Sequence, residues 1–395
     1  MGLILIMYID YTEEQKNLRL EVRSYFQQLM TDELKEQLKG QEESGPVYRQ
    51  VIKQMGTDGW LSIGFPKEYG GMDKGAVEQL MFFEEALLAG APIPFVTLNT
   101  VAPALMESGS DEHKAKFLPG IAAGDIHFAI GYTEPSAGTD LAALGTTAVK
   151  DGDNWTINGT KVFTSSAEEA DYIWLAARTT PDVKHKGVTM FIADTKDPGF
   201  SYAPIKTVGG MNTNMTYYEN INVSDSMRVG EVDKGWGLIM AQLNHERLGL
   251  AAWGIHGWNM FQETLKWSRE VNHLGARPID EPYIQRNLAE AYTLLEAQRV
   301  MNFRLAWDLD QQRLHPALAS AAKVYSSEGI IEVTRLLMEC VGPEVLITGD
   351  SDGAFLRGRL ERECRRGQIN TFGGGVNEIQ RGVIANFGLM MPRHR

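Results

Sequence analysis

A chain of 395 residues, 43% apolar and 23% charged, can bury a large core and fill two or three domains. Its formal charge of −13 argues against non-specific nucleic-acid binding, so an anionic ligand would have to rely on local cations or backbone N–H groups. Two cysteines, Cys340 and Cys364, give no disulfide framework and no metal spacing and suit a reducing cytoplasm. The eight histidines form no H-E-x-x-H or similar pattern. Gly2–Met7 is apolar but far too short to span a bilayer. It reads as an extension ahead of the first helix, and no membrane segment is expected.

Helical patterns run from Tyr11 to about Lys116. Thr12 and Gln15 predict a capping box that opens a helix through Met30. Further helices are expected over roughly Val47–Asp58, Gly75–Leu88 and Thr97–Ser108, with a turn-rich loop at Leu61–Gly71 and a break at Ala91–Pro94. Asp111 is expected to cap a short helix ending near Pro119–Gly120. Near Asp125 the period changes. His127–Tyr132, Tyr172–Ala177, Val188–Ala193 and Tyr217–Val223 read as strands, and Thr146–Phe163 as a hairpin-like pattern with turn chemistry at Asp151–Asn154 and at Asn158–Gly159. From Asp233 onward long helices are predicted over about 233–271, 281–311, 316–341 and 375–388, a bundle pattern. The expected class is α+β, with a helical domain over 7–125, a β domain over 126–232 and a helical bundle over 233–395.

Within 233–271 the apolar residues Trp236, Ile239, Leu243, Leu250 and Trp253 recur at helical spacing, and Glu246 falls in the same stripe. A carboxylate on an apolar face is costly unless paired or used. Two readings stand: an ion pair with Arg247 or a distant arginine, or a base whose pKa burial raises so that it can take a weakly acidic proton.

A second feature is Gly131-Tyr-Thr-Glu-Pro-Ser-Ala-Gly-Thr-Asp140, directly after a predicted strand. Gly138 permits close backbone approach, and Thr133 and Thr139 offer hydroxyl and N–H groups. A Thr-rich turn alone is usually just a turn, but the pattern T-E-P-x-A-G-[ST]-D is far more specific. It resembles the acyl-CoA dehydrogenases, which are FAD flavoproteins. Asn158-Gly-Thr-Lys-Val-Phe-Thr-Ser165, Asn244-His-Glu-Arg247 and Gly373-Gly-Gly-Val-Asn-Glu-Ile-Gln-Arg381 resemble further segments of that family, and the likeness covers essentially the whole chain. The family's fold is the same domain order: helices, a β-barrel-like middle domain, then a four-helix bundle.

The resemblance implies α,β-dehydrogenation of an acyl-CoA thioester. It places Gly131, Tyr132, Thr133, Gly138, Thr139, Phe163, Thr164, Ser165 and Gly374 at FAD, with Phe163 and Ser165 against the flavin ring and Thr133 at its pyrimidine edge. Thr139, Arg247 and Gly373 are implied on the substrate side, and a backbone N–H near Gly374 at the thioester oxygen. Many members carry the catalytic glutamate in a Tyr-Glu-Gly-Thr segment, where this chain has Gly374; others carry it on the bundle helix, where Glu246 stands. The apolar-stripe argument and the family pattern meet on Glu246 as the base. Loss of the Tyr-Glu pair also leaves room for a bulky acyl group.

The same comparison finds a missing half. The R-x-x-F-G arginine that reaches a neighbouring subunit's FAD pyrophosphate is replaced by Val271, and a supporting glutamine by Pro282. The Gln-x-x-Gly-Gly segment reads Glu339-Cys-Val-Gly-Pro343, and a glutamate repels a pyrophosphate. Arg269 or Arg277 could substitute. This pattern is similar to the α-type subunits of α2β2 acyl-CoA dehydrogenases that act on 3-oxocholest-4-en-26-oyl-CoA-type steroid side chains. Implied partners are a second acyl-CoA dehydrogenase-like subunit and an electron-transfer flavoprotein. A silent scaffold subunit, or a dehydrogenase for a non-steroid branched acyl group, remain the alternatives.

Overall fold

The computed structural model describes residues 10–39, 41, 44–242, 254–270, 275–349 and 351–392. The N-terminal helices are α1 (Glu13–Leu29), α2 (Asp32–Gln37), α3 (Pro46–Thr57), α4 (Ala76–Ala89), α5 (Ala102–Ser108) and α6 (Asp111–Ala122). The Thr12–Gln15 capping box is formed in both directions, which satisfies two backbone donors at the start of α1. Asp111 is not the cap of α6. Ser110 takes that place because its hydroxyl accepts the His113 N–H while the His113 ring accepts the Ser110 N–H. The helix expected from Thr97 opens as a π-helical turn over Thr97–Val101 before α5. Thr97 Oγ1 accepts the Phe128 N–H at 2.9 Å, tying this turn to the start of the first strand.

The strands are β1 (Phe128–Gly131), β2 (Thr147–Asp151), β3 (Asn154–Lys161), β4 (Tyr172–Arg178), β5 (Val188–Asp194), β6 (Phe200–Lys206), β7 (Asn212–Ser224) and β8 (Arg228–Val229). They form one sheet in the order β6-β7-β3-β2-β4-β5-β8, with β1 beside β4 in parallel. β4 is buried on both faces, which explains its near-continuous apolar run. Trp174 and Ala176 pack with the N-terminal helices, while Ile173, Leu175 and Ala177 pack inside the β domain. Asn158–Gly159 is not a turn: β3 runs on against β7 with a register shift there. A Cβ at Gly159 would lie 2.4 Å from Thr146 Oγ1, so a glycine bulge lets β3 pass β2's start. The hairpin turn is at Gly152–Asp153 alone, where Gly152 has φ 59°.

Residues 235–242 are helical and belong to the predicted 233–271 segment. The described remainder of that segment is α7 (Ile255–Arg269), followed by α8 (Pro282–Asp310), α9 (Pro316–Val341), α10 (Arg359–Arg366) and α11 (Asn377–Val383). α11 continues into a π-helical turn over Ile384–Gly388, so the expected 375–388 helix starts later and changes form. A separate apolar core, including Met260, Leu288, Leu295, Ile330, Val333 and Leu337, joins α7, α8 and α9. The β domain reaches the bundle at the β6–β7 turn, where Arg365 donates to the Val208 carbonyl. No described helix is long and apolar enough to cross a membrane.

His127, at the entry to β1, carries a pH dependence. It is buried, its ring bonds the Gly124 carbonyl, and its backbone N–H donates to Asp171 at 2.9 Å. Burial, helped by the Arg49 charge, pushes its imidazole from 6.5 down to about 4. Between these values the unfolded chain binds more protons than the folded one, so stability falls as the pH drops through the window. The displacement corresponds to about 3 kcal/mol. His127→Gln is expected to flatten the loss of unfolding midpoint between about pH 6.5 and 4; an unchanged slope would overturn the assignment.

Candidate active site

Three segments carry the predicted site residues. The first leaves the end of β1. A Cβ on Gly131 would lie 2.9 Å from Ile173 Cγ2 and from Leu175 Cδ1, so only glycine fits between β1 and β4 at this point. Beyond it the Tyr132 hydroxyl donates to Gln242 Oε1, and Trp174 Nε1 donates to the same oxygen at 2.9 Å. These buried groups tie the loop to the last described turn of the helix over 235–242. Glu134 folds back beneath the loop and accepts the N–H groups of Gly145 at 2.6 Å and Thr146 at 2.8 Å. Thr133 is half-buried, and Gly138 and Thr139 are exposed at the turn's tip. A Cβ at Gly138 would meet nothing nearer than the Thr133 methyl at 3.8 Å, so this tip is open.

Lys161, the last residue of β3, anchors the same loop. Its ammonium is fully buried and donates to the Tyr132 carbonyl at 3.0 Å and to Glu134 Oε1 at 2.8 Å. Burial pushes the ammonium down to about 8, against the pull of Glu134. Burial alone would raise the Glu134 carboxyl; the Lys161 charge and the N–H donors outweigh it and hold the carboxyl below its ordinary value. The pair is therefore charged at neutral pH. Sequence reading passed over Lys161, yet the signal was there: it follows Trp155 and Ile157 on the buried side of β3, and a lysine on such a face needs a partner.

The second segment is Phe163–Ser165. The Val162 N–H donates to the Thr133 carbonyl at 2.8 Å, so the first two segments lie side by side. Thr164 is buried and clasped to β7: its N–H donates to the Asn214 carbonyl at 2.9 Å, and its carbonyl accepts Asn214 Nδ2 at 3.1 Å. Asn214 Nδ2 also reaches Glu168 at 2.5 Å. With Thr164 held inward, Phe163 is turned out. Its φ is 60° and it is 63% exposed, an aromatic ring in a strained left-handed backbone with no core to fill. Ser165 is exposed beside it, its hydroxyl 3.4 Å from Thr213 Oγ1.

The third segment, Gly373–Gly375, lies on the bundle ahead of α11 and is held by α9 rather than by the β-domain loops. Gly374 and Gly375 have φ 66° and 94°. Glu246 and Arg247 lie outside the described residues, as does Val271. Gln242 was missed by sequence reasoning; it stands four residues before Glu246 and is buried against the first loop.

The residues named as possible replacements for a phosphate-binding arginine differ in their surroundings. Arg277 forms a two-point surface pair with Asp280, at 3.0 and 2.7 Å. Arg269 is exposed near the end of α7. Glu339 pairs with Arg335 and accepts Asn287 Nδ2 at 3.2 Å, so its charge is engaged within its own subunit. Among the described residues no group of three or more histidine, cysteine, aspartate or glutamate side chains could hold a metal.

Comparison with known proteins matches three family models along the chain: the acyl-CoA dehydrogenase N-terminal domain over 12–125, the middle domain over 129–222 and the C-terminal domain over 233–389. Acyl-CoA dehydrogenase FadE26 of Mycobacterium tuberculosis is 47% identical, covering 98% of this chain and 99% of that protein. The chain is 48% identical to one in the ChsE4-ChsE5 complex from the same organism, with a TM-score of 0.92 over 98% of this chain and 100% of that one. A chain of the Tcur3481-Tcur3483 steroid ACAD superposes with a TM-score of 0.93 at 46% identity, over 98% and 100% of the two chains. With all three domains matched in order and close relatives spanning its full length, the chain belongs to the acyl-CoA dehydrogenases, a family of FAD-dependent oxidoreductases.

Proposed function

We propose that this subunit carries the flavin-ring half of an FAD site and dehydrogenates a bulky, steroid-type acyl-CoA thioester within a heterotetramer. The observation that carries the flavin assignment is the outward Phe163 at left-handed φ, locked beside Thr133 by the Val162–Thr133 hydrogen bond. An exposed flat ring, with the hydroxyl-bearing Thr133 on the adjoining segment and Ser165 two residues on, fits the stacking and hydrogen-bonding needs of a flavin. Gly131, Tyr132 and Thr164 support these two loops, and Gly138 and Thr139 face the phosphate or CoA side. Bound FAD supplies the acceptor for the hydride lost from the β-carbon.

The chain's own residues then manage the α-proton and the enolate charge. Glu246 removes the proton, with Arg247 beside it. The N–H groups of Gly374 and Gly375 make no hydrogen bond among the described residues. They are donors suited to a thioester oxygen on which charge develops, with Gly373 leaving space beside them. The heteromeric reading is supported by Val271 and Pro282 at the phosphate-binding positions and by Glu339, which is engaged by Arg335 and Asn287. It is also supported by the two-subunit complexes among the similar solved structures. Electrons would pass on to an electron-transfer flavoprotein, and a cytoplasmic location accords with the two free cysteines.

The test is FAD content. Expressed alone, the chain is expected to be flavin-poor; co-expressed with an acyl-CoA dehydrogenase-like partner, it is expected to hold about one FAD per heterodimer and to oxidise a steroid acyl-CoA faster than a short straight-chain one. One FAD per subunit in the lone chain would sink the split site. Preference for the short substrate would sink the steroid assignment.

A further inference from the structure

The glycine loop needs an external brace. Gly373, Gly374 and Gly375 lack side chains to pack, and glycine loses more conformational freedom on ordering than any other residue. The brace is one face of α9. Ser320, Lys323 and Ser327 recur there at spacings of three and four, so they line one side of the helix. Lys323 is buried, and its ammonium donates to the Thr371 carbonyl at 3.2 Å, the Gly375 carbonyl at 2.8 Å and Asn377 Oδ1 at 2.7 Å. An ammonium has three donors, and these three acceptors all lie within its reach. Two of the three acceptors are main-chain oxygens on either side of Gly373–Gly374.

A second strut comes from the same helix face. Ser320 Oγ donates to Gln380 Oε1 at 2.7 Å, and Gln380 Nε2 donates to the Gly374 carbonyl at 3.2 Å. Asn377 is itself held, with Nδ2 donating to Ser327 at 3.0 Å and to Glu328 at 2.9 Å. In a trans peptide the N–H points opposite to the C=O. Drawing the Gly374 carbonyl toward Gln380 therefore aims the Gly375 N–H away from it. The Gly375 carbonyl and the Thr371 carbonyl, both on Lys323, set the loop's position on either side.

We propose that Lys323 is a positioning residue for the reaction: through the Thr371 and Gly375 carbonyls it pins the two ends of the loop whose Gly374 and Gly375 N–H groups polarise the thioester carbonyl, while the Gln380 strut sets the plane of the Gly375 N–H. The inference rests on the acyl-CoA dehydrogenase reading of the Gly373–Gly375 loop. In this role Lys323 acts through the loop backbone rather than on the substrate. Its removal leaves the acyl-CoA binding surfaces in place but lets the donors wander, and donors that are not preorganised stabilise the developing charge less.

The experiment uses the assembled heteromeric enzyme, with wild type, Lys323→Met, Lys323→Gln and Ser320→Ala compared. The first readout is the carbonyl stretch of a bound acyl-CoA carrying ¹³C at the thioester carbon, measured by isotope-edited infrared difference spectroscopy. The second is the split between kcat and KM. Lys323→Met is expected to lose at least half of the wild-type down-shift of the carbonyl band. It is also expected to lower kcat by roughly 30-fold or more, with KM changed less than about threefold. Lys323→Gln, which keeps an N–H donor, and Ser320→Ala, which releases the Gln380 strut, are expected to lie between. If Lys323→Met fails to assemble, these two variants carry the test through the same band. A full down-shift in the variants, with kcat near wild type, overturns the role of Lys323. A wild-type enzyme that shows no down-shift and no dehydrogenation overturns instead the reading on which it rests.

Discussion

Glu246→Gln is expected to lower kcat by about 10²–10⁴-fold, equivalent to about 3–5 kcal/mol of transition-state stabilisation, with little change in acyl-CoA binding. Glutamine keeps the shape and a hydrogen bond but cannot take a proton. The acidic limb of the kcat/KM profile, set by ionisation of the base, should disappear with it. The measurement is turnover of the assembled enzyme across the pH range, with FAD content checked in parallel. The result bears on two alternatives at once. A scaffold subunit would lose nothing, since its carboxylate would do no chemistry. An ion pair with Arg247 would show itself as a stability loss with kcat intact.

Lys161→Met is expected to be the most destabilising single change in the β domain. It leaves Glu134 buried with the Gly145 and Thr146 N–H donors but no counter-charge from Lys161, and it removes the Lys161 donor from the Tyr132 carbonyl. Breaking a buried pair from one side costs about 3–5 kcal/mol. Because Tyr132 and Glu134 flank Thr133, the cost falls on the loop proposed to face the cofactor, and FAD retention should drop along with the unfolding midpoint. Adding Glu134→Gln removes the stranded charge and is expected to restore more than half of the lost midpoint. If the double variant is no better than the single one, the damage comes from packing and not from the orphaned carboxylate.

What could be read ahead of the structure follows the range of the forces involved. The Thr12–Gln15 box was legible because both partners sit within one helical turn. β4 and β5 were legible because both are lined by buried residues along nearly their whole length, leaving unbroken apolar runs. β6 was not: its pattern is mostly exposed, so Phe200–Lys206 offers no core stripe, and its pairing with β7 supplies what its side chains do not signal. α10 was missed for a related reason, since Arg359–Arg366 is almost wholly charged and only Leu360 is buried. The Asn158–Gly159 dipeptide carried a real glycine requirement, but its cause is Thr146, just ahead of the neighbouring strand β2, so it marked a bulge rather than a turn.

The candidate site divides in the same way. Motif order placed Thr133, Phe163 and Gly374 on three loops, because turn glycines, hydroxyls and strand ends are properties of neighbouring residues. It could not say that Phe163 faces outward while Thr164 is clasped to Asn214, since that choice is made by β7, about fifty residues away in sequence.

By itself, then, the sequence determined the succession of helical, β and helical segments, the family and the loops that carry its motifs, all through spacings of a few residues. Only the tertiary structure decided which buried polar groups brace those loops. Tyr132 meets Gln242 across 110 positions, Lys161 meets Tyr132 across 29, and Lys323 meets Gly375 across 52. The physical reason is that a buried charge or amide must be matched by whatever donor or acceptor the packing brings beside it. No local pattern records which distant carbonyl that will be.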